Sequence, residues 1–244
     1  MEKVPFFFSW SSGKDSAMAL RMALEDESIE VKCLLTTVNE AFGRVSMHGT
    51  REELLDRQAE CLGLPLRKLR MPEAPSMEDY EKLMADLMEE FGAEGLKGAV
   101  FGDIFLDSLK EYREKKMAEV DMDAKFPLWK RDTWELMREF VDLGFKAVVV
   151  CVSDKCLDKS FVGRELDQSF VDDLPEGVDP CGENGEFHTF VYDGPIFSKP
   201  VKFSRGEVVY RTYKPSDGDD TGDSHGTDTA DYDTGFYYMD LSPD

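Results

Sequence analysis

Over the first 150 residues, short apolar runs alternate with segments whose apolar residues recur every three or four positions. Val4–Ser9 is almost wholly apolar and predicts a buried strand. Lys14–Glu25, rich in Ala, Leu and Met, predicts the helix that follows it. Residues 31–38 read as a second strand, 51–62 as a helix stopped by Gly63 and Pro65, and 66–69 as a short strand. On the long helix after it, Met77, Tyr80, Met84, Leu87 and Phe91 form one stripe, a core face rather than a cofactor site. Residues 99–102 then predict a strand, 108–120 a helix, 133–143 a helix closed by Gly144, and 146–152 the most β-prone run of the chain. Strands alternating with helices in this way predict βαβ units: an α/β fold with a mostly parallel, Rossmann-like sheet and helices on both faces.

Beyond residue 153 the pattern changes. Residues 163–174 read as one more helix, and 186–193 and 201–213 as strands of an antiparallel unit parted by Gly194-Pro195. The expected organisation is a first domain over 1–153, a smaller C-terminal α+β domain over 154–214, and a tail over 215–244. That tail holds nine Asp and no Lys or Arg among Gly, Thr and Ser, which predicts disorder. Its Phe236, Tyr237, Tyr238, Met239 and Leu241 offer a docking segment, against the favoured reading of an unstructured, solubilising tail.

Charge narrows the function classes. The 244 residues carry 29 Lys+Arg against 51 Asp+Glu, a net charge of −22. Such a surface repels phosphate backbones and anionic lipid, which excludes nonspecific nucleic-acid and membrane binding. No apolar stretch approaches the roughly 20 residues that span a bilayer, and no signal-peptide pattern follows the first strand. Cys33, Cys61, Cys151, Cys156 and Cys181 are odd in number and lie mostly in apolar segments, as buried thiols do. A cytoplasmic protein is expected.

The densest chemistry lies between the first strand and the first helix, in Ser9-Trp10-Ser11-Ser12-Gly13-Lys14-Asp15-Ser16. Backbone N–H groups and the helix dipole favour an anion there, small residues let the backbone approach it, and Ser hydroxyls with Lys14 add donors. A Walker A motif needs Gly at position 8 and Ser or Thr after Gly-Lys; Phe8 and Asp15 stand there instead. The dinucleotide fingerprint is absent too. Residues 11–16 resemble the SGGKDS signature of the PP-loop ATP pyrophosphatases, with Ser12 in place of the first Gly. The resemblance implies cleavage of ATP between its α and β phosphates, with Mg²⁺ sharing the charge. Asp15 is the candidate for reaching that ion; capping the helix is its other reading.

A second constellation runs from Cys181 to Phe197. Gly182 and Gly185 bracket Glu183 and lead into a strand bearing Glu186, His188 and Asp193. Glu186 and His188, two apart, are expected on one face, where they would orient an amine nucleophile or take its proton. An exposed polar hairpin face is the plainer reading. His48, before the helix at 51–62, reads as a nucleotide contact or as helix-start packing.

The motifs taken in order resemble the diphthine–ammonia ligase family over about residues 4–203. They are the loop at 11–16, His48, Leu54-Leu55-Asp56-Arg57-Gln58-Ala59-Glu60, Gly63-Leu64-Pro65, Gly102, Pro127-Leu128-Trp129, Asp142-Leu143-Gly144-Phe145-Lys146, Gly163-Arg164-Glu165-Leu166-Asp167 and Gly182-Glu183-Asn184-Gly185-Glu186. The resemblance implies a HUP-type ATP-binding domain with a smaller C-terminal domain. It implies an AMP-forming amide ligase that uses ATP and ammonium, with diphthine on translation elongation factor 2, or another carboxylate, as acceptor. By matching position, Ser11, Ser12, Gly13, Lys14, Asp15, Ser16 and Gly102 would bind ATP. Glu183, Glu186, His188 and Thr189 would line the acceptor or ammonia side, with Lys14, Asp15, Glu183, Glu186 and His188 as the catalytic set. Two positions depart from the usual family pattern: His188 replaces a second acid, and Tyr112-Arg113-Glu114 replaces a Tyr-Gln with a following Arg. The wording is closer to the bacterial branch of the family. Two further readings remain: sulfur transfer to tRNA carried by Cys151, Cys156 or Cys181, and a non-catalytic adenine-nucleotide-binding protein.

Overall fold

The computed structural model describes residues 2–45, 49–73, 76–213 and 234–244. The chain opens with β1 (Val4–Ser9), α1 (Lys14–Glu25) and β2 (Ile29–Asn39), followed by the short β3 (Arg44–Val45), α2 (Glu52–Leu62) and β4 (Leu66–Met71). Then come α3 (Met77–Ala93), β5 (Gly98–Val100), α4 (Asp107–Ala118) and β6 (Asp123–Lys125). β1 lies between β2 and β5, and β4 and β6 pair outside them, all in parallel, while β3 folds back antiparallel on β2. The chain thus leaves β1 for one side of the sheet and later returns to its other side. The carboxyl end of β1 is the switch point where such sheets bind ligands.

Alternation along β1 sends its side chains into two cores. Phe6 and Phe8 pack with α1, α2 and Val100, and Phe7 packs on the opposite face with Met88 and Phe91 of α3 and Met117 of α4. The helices therefore cover both faces, as the apolar runs predict. Of the α3 stripe, Phe91 is buried, Tyr80, Met84 and Leu87 partly so, and Met77 is exposed; Met88, beside the stripe, is buried too.

The second half contains α5 (Thr133–Asp142), β7 (Lys146–Ser153), a 3-10 turn at Lys159–Phe161, α6 (Gln168–Asp172), β8 (Phe187–Asp193), β9 (Phe203–Tyr213) and β10 (Thr234–Pro243). Its antiparallel sheet has the order β8-β7-β10-β9. β7 belongs here and not to the parallel sheet, so the sheets divide before residue 146 rather than at the expected boundary after 153. A strand buried on both faces reads alike in a parallel sheet and in the middle of an antiparallel one. The first core continues into this half through α5, Ala147, Val149, Phe187 and Val191.

Two expected elements differ. Of the helix expected over 163–174, only Gln168–Asp172 is helical. Gly163 is left-handed (φ +83), and Gly163 and Leu166 donate their N–H groups to the Val149 and Ala147 carbonyls of β7, which holds that stretch extended. Asp167 then caps α6 through the Phe170 N–H. The disorder expected throughout 215–244 is overturned at its far end, where β10 runs between β7 and β9. Its β-prone aromatics pair along both edges, which supplies the ordering energy of this strand. Residues 214–233, His225 among them, and His48 lie outside the described residues. Among the described residues, no helix is long and apolar enough to cross a membrane.

Candidate active site

Loop 9–16 leaves β1 at the switch point and turns into α1, with Gly13 at the N-cap. Ser12, where the signature has Gly, is left-handed (φ +72), a conformation that costs a non-glycine residue about 1–3 kcal/mol. Its surroundings over-determine it. The Ser12 hydroxyl shares a hydrogen bond with the Thr50 hydroxyl at 3.1 Å. Its carbonyl accepts from Val191 N (3.0 Å) and from Gln58 Nε2 (3.1 Å). The Ser11 hydroxyl donates to Ser16 Oγ (3.1 Å), whose own hydroxyl donates to the Gly13 carbonyl (2.8 Å). A Cβ on Gly102 would lie 3.3 Å from the backbone of Asp15 and Ser16, so the loop after β5 packs directly on the start of α1.

The second constellation meets this loop. Lys14 N donates to Thr189 Oγ1 at 3.0 Å. The buried Lys14 side chain runs inward: Nζ contacts Asp15 Oδ2 at 2.7 Å, donates to the Cys181 carbonyl, and lies 5.4 Å from the centroid of the Phe187 ring. Burial works against the Lys14 ammonium, but the neighbouring groups together, Asp15 first and Glu183 among them, more than offset it and leave the pKa above its ordinary value. Glu183 Oε1 accepts from Ile104 N at 2.8 Å, which ties the 181–186 turn to the loop after β5. Burial, reinforced by the Asp15 charge, pushes the Glu183 carboxyl up to about 7.

Glu186 and His188 play different parts from those expected of a pair. The buried Glu186 carboxylate accepts from Asp179 N (3.1 Å), Asn184 N (3.0 Å) and Asn184 Nδ2 (3.0 Å), so it shapes the turn that carries Glu183. Phe187 and Thr189 face the phosphate loop, and alternation along β8 turns His188 to the opposite side, with Phe190. Burial and the Lys14 charge hold His188 down to about 4, so its imidazole is neutral at neutral pH. Of the expected residues, the structure gathers Ser11–Ser16, Gly102, Glu183 and Thr189 at one place, with Glu186 behind them and His188 across the strand.

Mg²⁺ is commonly held by one or two carboxylates plus substrate phosphates rather than by an all-protein cage. The donor set here fits that mode: Asp15, part-exposed beside the loop, with the Asp103, Asp179 and Glu183 carboxyls near enough to act on one another electrostatically. Among the described residues, no group of three or more His, Cys, Asp or Glu is gathered as a metal site by itself.

Several site residues escape sequence reasoning. Gln58 of α2 is fully buried. It accepts from Trp10 Nε1 (3.0 Å) and donates to the carbonyls of Ser12 and Val191 (2.6 Å to the latter), joining β1, the loop and β8. Thr36 donates to the Trp10 carbonyl at 2.6 Å. Asp103 is buried beside Arg113, with Nε and Oδ2 3.2 Å apart. Gln58 lies inside the 54–60 motif of the family resemblance, and a Gln on the apolar face of an otherwise amphipathic helix is a second signal for it. Nothing local marks Thr50, and although Cys181 and Phe187 lie in the second constellation, nothing there singles out the Cys181 carbonyl or the Phe187 ring as contacts of Lys14.

Residues 6–124 match the family model described as the diphthamide synthase N-terminal domain, and residues 132–215 match that of the diphthamide synthase C-terminal domain. A zebrafish (Danio rerio) protein named diphthine–ammonia ligase is 29% identical over 178 residues, which cover 64% of this chain and 68% of that protein. The human protein of the same name is 29% identical over 170 residues, 64% of either chain. That of Schizosaccharomyces pombe is 24% identical over 174 residues, 64% of this chain but 28% of that protein. The match thus spans about two thirds of the animal relatives' length and far less of the yeast protein's.

Proposed function

Because the chain belongs to the diphthamide synthase family, we propose that it is an ATP-dependent, AMP-forming ligase that joins ammonia to a carboxylate. One observation carries the reading. The phosphate loop is bonded directly to β8 and to the turn bearing Glu183, which supports a reading in which the ATP side and the acceptor side adjoin. Ser11–Ser16 and the start of α1 grip the β,γ phosphates. A carboxylate oxygen attacks the α-phosphorus and pyrophosphate leaves. Ammonia then attacks the acyl carbon of the adenylate and AMP leaves. Positioning and charge stabilisation lower both barriers. Mg²⁺, held by Asp15 and the phosphates, would neutralise charge developing on them. Glu183, with its carboxyl near 7, is the base for the nitrogen nucleophile, while Glu186 and Thr189 are positioning residues. Gly102 supplies the clearance beside the loop.

In this reading the N-terminal unit provides the ATP site and the C-terminal unit the acceptor side. The acceptor is diphthine on translation elongation factor 2 or another protein or small-molecule carboxylate, and the compartment is the cytoplasm, where free thiols such as these five persist. Sulfur transfer is disfavoured by the thiols themselves. Burial raises Cys151 to about 12 and lifts Cys156 and Cys181 as well, so the nucleophilic thiolate is scarce at neutral pH. The ligase reading is tested by incubating the protein with ATP, Mg²⁺, ammonium and candidate acids. AMP and pyrophosphate are expected in equal amounts with one of the acids; ADP as the product would refute it.

A further inference from the structure

The Lys14 ammonium occupies a small cation cage: the Asp15 carboxylate at 2.7 Å, the Cys181 carbonyl, and the face of Phe187 with its centroid at 5.4 Å. A carboxylate, a carbonyl and an aromatic face are the three kinds of group that bind a compact ammonium. Next to it lies a cavity of about 10 Å³, lined by Lys14, Asp15 and Cys181 on one side and by apolar side chains of α1 and α5, among them Met18, Leu136 and Phe140. That is about the least space that holds one water-sized molecule, and ammonium is such a molecule. Lys14 is also the loop's only cation, the group that incoming phosphates attract most strongly.

We propose that Lys14 is a place-holder, and that when ATP draws its side chain to the phosphates, the substrate ammonium ion takes over the cage of Asp15 Oδ2, the Cys181 carbonyl and Phe187, leaving the other Asp15 oxygen to Mg²⁺. The inference rests on the ligase reading and deepens it by assigning the ammonium subsite. The Glu183 carboxyl, two residues beyond the Cys181 carbonyl and fixed by Ile104 N at 2.8 Å, is the group that receives a proton. Ammonium gives one proton to the Glu183 carboxylate. The freed lone pair forms the C–N bond to the acyl carbon, and the acyl C–O bond to phosphorus breaks, with AMP taking the electron pair. The N-protonated amide then gives its second proton to water. Filling of the cage before transfer makes ammonia capture depend on bound ATP and excludes larger amines by size.

Thallium(I), an ammonium-sized cation with a strong anomalous signal, reports the subsite without turnover. Crystals of the full chain are soaked with thallium(I) and α,β-methylene-ATP, which is not cleaved at the reacting bond. The expected result is Lys14 Nζ on the phosphates and a thallium peak within contact of the Cys181 carbonyl, over Phe187. Nucleotide bound with Lys14 still on Cys181, or thallium bound only elsewhere, overturns the inference and leaves the ligase reading standing. Loss of that reading shows separately, as an absence of acid-dependent exchange between ATP and labelled pyrophosphate, a reaction that needs no ammonium. In turnover, Phe187→Leu is expected to raise the KM for ammonium about threefold to thirtyfold with a smaller change in kcat, the size of a buried cation–π contact. An unchanged KM in a folded Phe187→Leu protein also overturns it.

Discussion

Glu183 is held by a single backbone donor, Ile104 N, on a part-buried turn close enough to Asp15 to feel its charge. Its carboxyl near 7 has two consequences of opposite benefit. For catalysis, a base must be ionised, so amide formation is expected to rise with pH through about 7 and then level off. Glu183→Gln should cut the rate by about 10²–10⁴ and abolish that limb, as measured by pH–rate profiles of both proteins. For stability, the folded state holds this proton more tightly than the unfolded chain, whose glutamate has an ordinary pKa of about 4.5. Stability is therefore lost as pH rises through the window from about 4.5 to about 7. Glu183→Gln should make the protein more stable than the wild type by about 1–3 kcal/mol at pH 8 and leave no such gain at pH 4, read from denaturant midpoints. The sequence shows Glu183 as a candidate, because the bracketing glycines mark a turn. It hides what raises the pKa, because Asp15 and Ile104 are 168 and 79 positions away. The same distance effect explains Ser12: the six-residue signature is local and legible, whereas the Thr50 hydroxyl and the Val191 N–H that make a left-handed serine tolerable are not.

Among the elements, β10 is the one that composition conceals. Averaged over 215–244 the segment is acidic and small; over 236–241 alone it is aromatic and β-prone. A window as long as the tail dilutes a strand of ten residues. β10 also returns the chain to the first half of the molecule: Asp240 accepts from Arg51 (2.5 and 3.1 Å) at the start of α2 and from Arg44 (2.8 Å) of β3. These hydrogen bonds, Arg51 first, hold the Asp240 carboxyl down to about 2. The stabilisation is therefore present above the ordinary aspartate range near 3.8 and lost as pH falls toward 2. Because Asp240 is about a third exposed, water and salt screen the pair. Asp240→Asn should cost about 1 kcal/mol at pH 7, with the gap to wild type closing near pH 2. Faster hydrogen exchange at the β10 amides, against unchanged exchange in β1 and β2, would place the loss; equal exchange in both proteins would refute the tie. α6 and β7 teach a related lesson. Each was legible as regular structure, but which neighbour claimed its backbone, β7 for the stretch after Gly163 and β8 and β10 for β7, depends on partners that no local pattern names.

At the scale of the whole molecule, two sheets of different kinds meet at one loop, and Gln58 is the side chain that reaches both. Its amide is fully consumed among Trp10 of the first sheet's opening loop, Ser12 of the phosphate loop and Val191 of the second sheet. Replacing it with Met, of similar volume, keeps the packing and removes the polar links, which leaves the buried Trp10 indole N–H without its acceptor. The cost should be about 2–4 kcal/mol, the penalty of stranded buried polar groups, visible as a lower denaturation midpoint. A second effect separates this linkage from ordinary core damage. ATP bound only to the folded state stabilises it by about 2.7 kcal/mol at a hundredfold excess over Kd. Gln58→Met loosens the loop that ATP grips, so its affinity for ATP should fall and its thermal shift with ATP should be smaller than that of the wild type at the same concentration. A core substitution remote from the loop, such as Phe91→Leu on α3, should lower the midpoint but keep the wild-type ATP shift. If Gln58→Met and Phe91→Leu respond to ATP alike, Gln58 is a packing residue only, and the two halves of the site are joined by the backbone bonds from β8.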